Sequence, residues 1–141
     1  MASTAIPAVK TAVLGLLEAS EDLANVNVTG DKEPEHDKEY VWLWRAKATR
    51  SFELLGGNPA PLDEIIELKL RIVSIQGDAV AASESRATEL LEAVEGALRG
   101  DLELDGTVFW HRLEEIEGDA VLFDQRRGFA WTATLTAKTR I

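Results

Sequence analysis

The sequence contains no cysteine, so disulfides, thiolate metal ligands and cysteine nucleophiles are excluded, and with them a disulfide-stapled secreted fold. Stability has to come from packing. No stretch approaches the ~20 apolar residues needed to cross a bilayer, and residues 1–10 lack the basic region and continuous apolar run of a secretion signal. These absences predict a protein made in the cytoplasm with no membrane partner. Positive charge is scarce as well: 15 Lys and Arg stand against 25 Asp and Glu, a formal net charge of −10. Affinity for a phosphate backbone comes from basic side chains that displace counterions, so nucleic-acid readers are disfavoured. The acids are spread along the chain, which marks a solvated surface rather than a disordered acidic tail. There is also no G-x-S-x-G elbow, no Gly-rich phosphate loop leading into a helix with a Lys, and no H-E-x-x-H helix.

What is present suits one core. The chain has 141 residues, 45% of them hydrophobic, which predicts one domain spanning 1–141. From Pro7, which suits a first helical turn, Val9, Ala12, Val13, Leu16 and Leu17 recur at helical spacing. Val26 and Val28 before Gly30-Asp31 read as a short strand and a turn. Asp31 to Glu39 is almost wholly charged, carries Pro34, and reads as an exposed, mobile loop. Tyr40 to Leu54 alternates as a strand, with Trp42, Trp44, Ala46 and Ala48 on one face and Leu43, Arg45, Lys47 and Thr49 on the other.

Gly56-Gly57-Asn58-Pro59-Ala60-Pro61 interrupts that strand. The following run sets Ile66, Leu68, Leu70 and Ile72 inward against Glu67, Lys69, Arg71 and Val73, so the two runs form a long antiparallel hairpin. After Gly77-Asp78 the period becomes helical, with a stripe of Ala87, Leu90, Leu91, Val94, Ala97 and Leu98 and with Gly100 at the C′ position. Either Asp78 or Ser83 serves as its N-cap. The remainder reads as three strands, Val108 to Ile116, Ala120 to Phe123 and Phe129 to Thr139, separated at Glu117-Gly118-Asp119 and at Asp124 to Gly128. The order predicts an α+β fold with two helices packed on a mainly antiparallel sheet.

Few residues suggest chemistry. Glu35-His36-Asp37 sets an imidazole between two carboxylates, donors a divalent cation accepts, but adjacent loop residues converge only on a rigid frame. A solvated loop without metal is the expectation. On a strand His111 shares a face with Glu115 while Glu114 points away, so a cross-strand hydrogen bond or an exposed edge is a simpler role than general base. Arg126 and Arg127, in a predicted tight turn, project together either into solvent or toward an acidic patch of a neighbour. Trp42, Trp44, Trp110 and Trp131 fall on strands, where their bulk suits core or interface anchors. No catalytic residue and no cofactor is expected.

A resemblance rests on the strand Ile65 to Ile75, the Gly77-Asp78 turn, and the helix end Glu89-Leu90-Leu91-Glu92-Ala93-Val94-Glu95-Gly96-Ala97-Leu98-Arg99. Asp105-Gly106-Thr107-Val108-x-Trp110 and the final Ala137-Lys138-Thr139-Arg140-Ile141 extend it. From Pro7 to Ile141 the chain resembles tail-terminator proteins of bacteriophages with long non-contractile tails. The resemblance implies an α+β virion subunit that forms a hexameric ring on the last tail-tube ring, stops tube growth and offers a surface to the head's connector.

Its partners would be other copies of itself, the tail tube protein and the connector, with DNA passing through unbound. The loop with Glu35, His36 and Asp37 and the hairpin tip with Gly56, Gly57 and Asn58 are the segments placed at tube or subunit contacts. A ring needs two unlike, complementary patches on each subunit, and Arg126, Arg127, Arg45 and Lys47 facing Glu114, Glu115 and Glu117 of the next copy would supply them. Another head–tail joining or tail-completion protein fits the same features. So do a small ligand-binding domain with His111 or Trp side chains in its pocket and a dimeric interaction module.

Overall fold

The computed structural model describes residues 4–34, 37–55, 58–77, 80–123 and 126–140, the side chains of 51–62, 123 and 140 excepted. It is an α+β fold. Helix α1 (Ile6–Glu18) is followed by a single 3-10 turn (Glu21–Leu23), a short strand β1 (Asn27–Thr29), the long strands β2 (Glu39–Leu55) and β3 (Asn58–Ser74), helix α2 (Val80–Arg99), and strands β4 (Trp110–Phe123) and β5 (Arg126–Arg140). The sheet order is β1-β2-β3-β5-β4, and every neighbouring pair is antiparallel except β1 with β2. Both helices lie on one face, where Val9, Val13 and Leu17 of α1 and Leu90, Val94 and Leu98 of α2 bury against Ile66, Leu68, Leu70 and Ile72 of β3. The apolar stripes read from sequence are the ones that pack.

The N-cap residue of helix α1 has no side-chain acceptor, and the nearest local one is Thr4 Oγ1, which accepts from Ile6 N at 3.3 Å. The N-cap is Ala5, and a second acceptor comes from the middle of the sheet: Glu64 Oε1 accepts from Ala5 N (2.8 Å) and from Thr4 Oγ1 (2.8 Å). Glu64 is 0% exposed, and Arg50 Nε donates to its other oxygen at 2.9 Å. A carboxylate beside a helix N-terminus is favoured by the helix dipole, so one buried acid joins α1, β2 and β3.

Four expectations about the strands change. First, the Tyr40–Leu54 alternation is interrupted by a register shift between Leu43 and Arg45, with Trp44 as the extra residue. Val41 and Leu43 therefore face the helices together with Ala46 and Ala48, while Trp42, Arg45 and Lys47 share the opposite face. Second, strand pairing continues to Leu55↔Asn58, with Pro59 and Pro61 inside β3. Among the described residues β5 pairs only as far as Asp63, so beyond it β2 and β3 form a two-stranded arm, and a proline there forfeits no described bond to β5.

Third, Glu117-Gly118-Asp119 is no turn. It lies inside β4, and a Cβ on Gly118 would come 2.7 Å from both Phe129 Cζ and Trp131 Cζ3, so the glycine makes room for two aromatic rings. Fourth, Arg126 and Arg127 open β5, opposite Phe123 and Leu122. Consecutive strand residues point to opposite faces, so the two cations diverge rather than project together. At α2, Ser83 lies within the helix and accepts from Gln76 N at 2.8 Å, so it is not the N-cap, and Asp78 lies outside the described residues.

The described part of the charged loop is tied down at several points. Tyr40 Oη donates to Glu33 Oε1 (2.6 Å), Asn27 Nδ2 to Asp37 Oδ2 (2.8 Å), and Ile75 N to the Lys38 carbonyl (2.8 Å). Burial and the neighbouring Glu33 carboxylate push the Tyr40 phenol well above its ordinary range, against a smaller opposing effect of Arg71.

Candidate assembly interface

The face of the sheet away from the helices is broad and polar. β2 contributes Arg45, Lys47 and Thr49, β3 Glu67, Lys69 and Arg71, β5 Thr132, Thr134 and Thr136, and β4 Arg112, Glu114, Glu117 and Asp119, as cross-strand pairing requires. Part of its middle is paired within the subunit, although Arg71 Nε is buried without a hydrogen-bond partner among the described residues. Lys69 Nζ donates to Thr134 Oγ1 (2.8 Å) and lies 3.6 Å from Glu115, while Thr136 Oγ1 donates to Glu114 Oε1 (2.7 Å). Arg112 pairs with Glu114 at 3.0 Å and stacks 5.1 Å from the Trp110 ring.

The two margins differ from the middle and from each other. Among the described residues β1 pairs only with Tyr40, Val41 and Trp42, so β2 presents an open edge from Leu43 onward, and β4 has no strand on its outer side. Arg45 and Lys47 on the first edge are exposed and make no ion pair among the described residues. Glu117 and Asp119 on the second edge are equally exposed and unpaired among them. Each edge also carries an exposed indole, Trp44 at 41% on β2 and Trp110 at 37% on β4. Exposed open edges are templates for pairing, and charges placed on them limit pairing to complementary partners.

Of the residues singled out from sequence, Arg45, Lys47, Glu114, Glu115 and Glu117 thus sort onto two opposite margins of one sheet. Glu114 and Glu115 are engaged within the subunit. Asp119, absent from the sequence-based set, joins Glu117 as a free carboxylate; reading it as part of a turn hid it. Arg126 and Arg127 sit at the far end of β4 and β5, away from the acidic row. Asn58 begins β3, Asp37 is held by Asn27, and Glu35, His36, Gly56 and Gly57 lie outside the described residues. Only Trp131 of the four tryptophans packs against the main core, its Nε1 donating to Thr88 Oγ1 at 3.3 Å.

Among the described residues no group of three His, Cys, Asp or Glu is placed to hold a metal ion, and no helix is long and apolar enough to cross a membrane. A cleft of about 320 Å³ between α2 and β4 is lined by Leu98, Arg99, Leu102, His111, Leu113 and Ile116. His111 Nε2 lies 2.8 Å from the Asp101 carbonyl, an acceptor only, so that nitrogen carries the proton. The imidazole thereby ties β4 to the loop after α2.

No family model and no curated protein matches the sequence. Among solved structures, the chain is similar to a chain described as "Virion of native gene transfer agent (GTA) particle", with a TM-score of 0.63 and 14% sequence identity, over 99% of this chain and 100% of that one. From end to end, this chain has the fold of a component of that virion.

Proposed function

We propose that this protein is a structural component of a phage-like virion, and specifically the tail terminator: a ring, six-membered by the resemblance, that sits on the last ring of the tail tube and ends its growth. The observation that carries the reading is the fold match to a virion chain over essentially the full length of both. A sheet with two long open edges and unlike unpaired charges supports it, because a ring requires each subunit to carry two different complementary surfaces. The work is assembly rather than catalysis. The projecting β2–β3 arm suits insertion between subunits of the tube, and the net charge of −10 suits a lumen through which DNA slides without sticking.

Native mass spectrometry across a concentration series, with negative-stain imaging, tests the reading. Six copies of the 15.5 kDa chain give a closed species of about 93 kDa, and adding the protein to growing tail tubes should fix their length. Tubes that keep elongating with the protein in excess would overturn the terminator role.

A further inference from the structure

The two open edges define a contact. We infer that the β2 edge of one copy, from Leu43 onward, pairs antiparallel with the β4 edge of the next copy, with Arg45 opposite Glu117 and Lys47 opposite Glu114. This rests on the ring reading above and specifies its interface.

Strand direction comes first. β2, β3, β5 and β4 alternate in direction, so β2 and β4 of one subunit run oppositely. A copy placed alongside by rotation about an axis near the strand direction keeps its orientation, so its β2 runs antiparallel to the first copy's β4 and continues the sheet.

Charge then selects the register. Arg45 and Lys47 are two residues apart and share the helix-free face. Glu117 and Glu114 are successive residues on that same face of β4, because a register shift lies between them. Setting Arg45 opposite Glu117 aligns Lys47 with Glu114 and Thr49 with Arg112, and brings Asp119 near Arg45. Following pairs straight across the subunit instead, Arg45 is level with Glu114 and Lys47 with Arg112. That level register opposes two cations, which is destabilising for residues directly opposite.

The favoured register is therefore displaced by one pair, about 7 Å along the strands, over the roughly 19 Å spanned by four strand spacings. A closed ring absorbs that offset if the strands lean by about 20°, less than the 35–45° tilt of ordinary barrels. β1 sets the limit of the contact, since it already occupies the edge of β2 at Tyr40, Val41 and Trp42. Trp44 and Trp110 flank the seam and lose exposed apolar surface as it closes.

Charge reversal tests this on the intact protein, using side chains that make no ion pair among the described residues. R45E sets an acid against Glu117 and Asp119, and E117K/D119K sets two cations against Arg45, so each alone should assemble at least 10-fold more weakly than wild type by native mass spectrometry. Their equimolar mixture should restore rings that contain equal numbers of both variants. Wild-type-like assembly by either variant alone, with rings present, overturns the contact and leaves the ring reading intact.

The absence of native cysteine provides a second readout. In K47C/E114C the two positions lie on β2 and β4, with β3 and β5 between them, which is too far to bridge within one chain. Oxidation should therefore give a ladder of linked copies, including at concentrations where wild type is monomeric. No ladder at any concentration overturns the contact, and no ladder together with no wild-type oligomer overturns the ring reading too.

Discussion

Glu64→Gln keeps the shape of a side chain buried in the sheet and removes its charge. The glutamine oxygen still accepts from Ala5 N and Thr4 Oγ1, but its amide then faces Arg50 Nε, donor against donor, where the native contact is 2.9 Å. The loss of one charge-assisted hydrogen bond is worth about 1.5–3 kcal/mol, and the weakened interaction with the α1 dipole adds about 0.3–1 kcal/mol. Arg50 is one-third exposed and regains water, which offsets part of this. The expected net loss is about 2 kcal/mol, a fall in Tm of roughly 8 °C for a chain of this size.

The loss should depend on pH in a defined direction. Burial raises the Glu64 pKa, but hydrogen bonds from Ala5 N–H, Arg50 and Thr4, with the charge of Arg50, outweigh it and hold the carboxyl below its ordinary 4.5. A depressed carboxylate contributes stability above its unfolded pKa and loses it as pH falls through the folded value. Wild type and variant should thus differ fully at pH 7, keep that gap to about pH 5, and converge below it. Urea denaturation followed by circular dichroism between about pH 3 and 7 measures this. A gap that is unchanged at the acid end, or under about 0.5 kcal/mol at neutrality, refutes the assignment of Glu64 as an ionised cap.

Gly118→Ala should lose about 1–3 kcal/mol in denaturant titrations, because the added methyl meets Phe129 and Trp131 at 2.7 Å. Asp101→Ala removes the acceptor of Glu103 N (3.2 Å) and Asp105 N (2.7 Å), so hydrogen exchange at those amides should accelerate and stability should fall by about 1–2 kcal/mol. Tyr40 is the single tyrosine, and with its phenol pKa raised by burial and by Glu33, absorbance near 295 nm should show no tyrosinate at about pH 11 while the fold persists. Joining Arg50 to Asp63 through a short Asn-Gly turn should keep stability within about 1 kcal/mol, since the arm pairs with neither β1 nor β5, yet abolish capping in a tube-growth assay.

The helices and the β3 core face were legible because their periodicities are unbroken: Ile66, Leu68, Leu70 and Ile72 alternate without exception. β2 was legible as a strand, but not in its faces, because one extra residue at Trp44 exchanges them and leaves no mark in composition. β4 misled through Gly118, whose flanking acids imitate a turn although its role is set by two rings from the adjacent strand. Glu64 has the parity of the inward residues Ile66 and Leu68, but its role was not legible locally, since its partners lie 14, 59 and 60 residues away. The acids and bases of the candidate interface were visible individually. Their separation onto two margins follows from the strand order, which local pattern does not encode.

Two unlike edges on one sheet also determine how the protein would respond to partial damage. A twofold dimer buries the same patch of both partners, whereas a head-to-tail contact consumes one edge and leaves the other available, so assembly stops only on closure. A copy with one disabled edge joins a growing arc through its sound edge and then blocks it. If six places are filled at random, one defective copy in ten leaves only about half of the rings without one. Edge substitutions would then be dominant when co-expressed with the wild-type chain, whereas a substitution that only lowers the subunit's stability, such as Glu64→Gln, would be recessive.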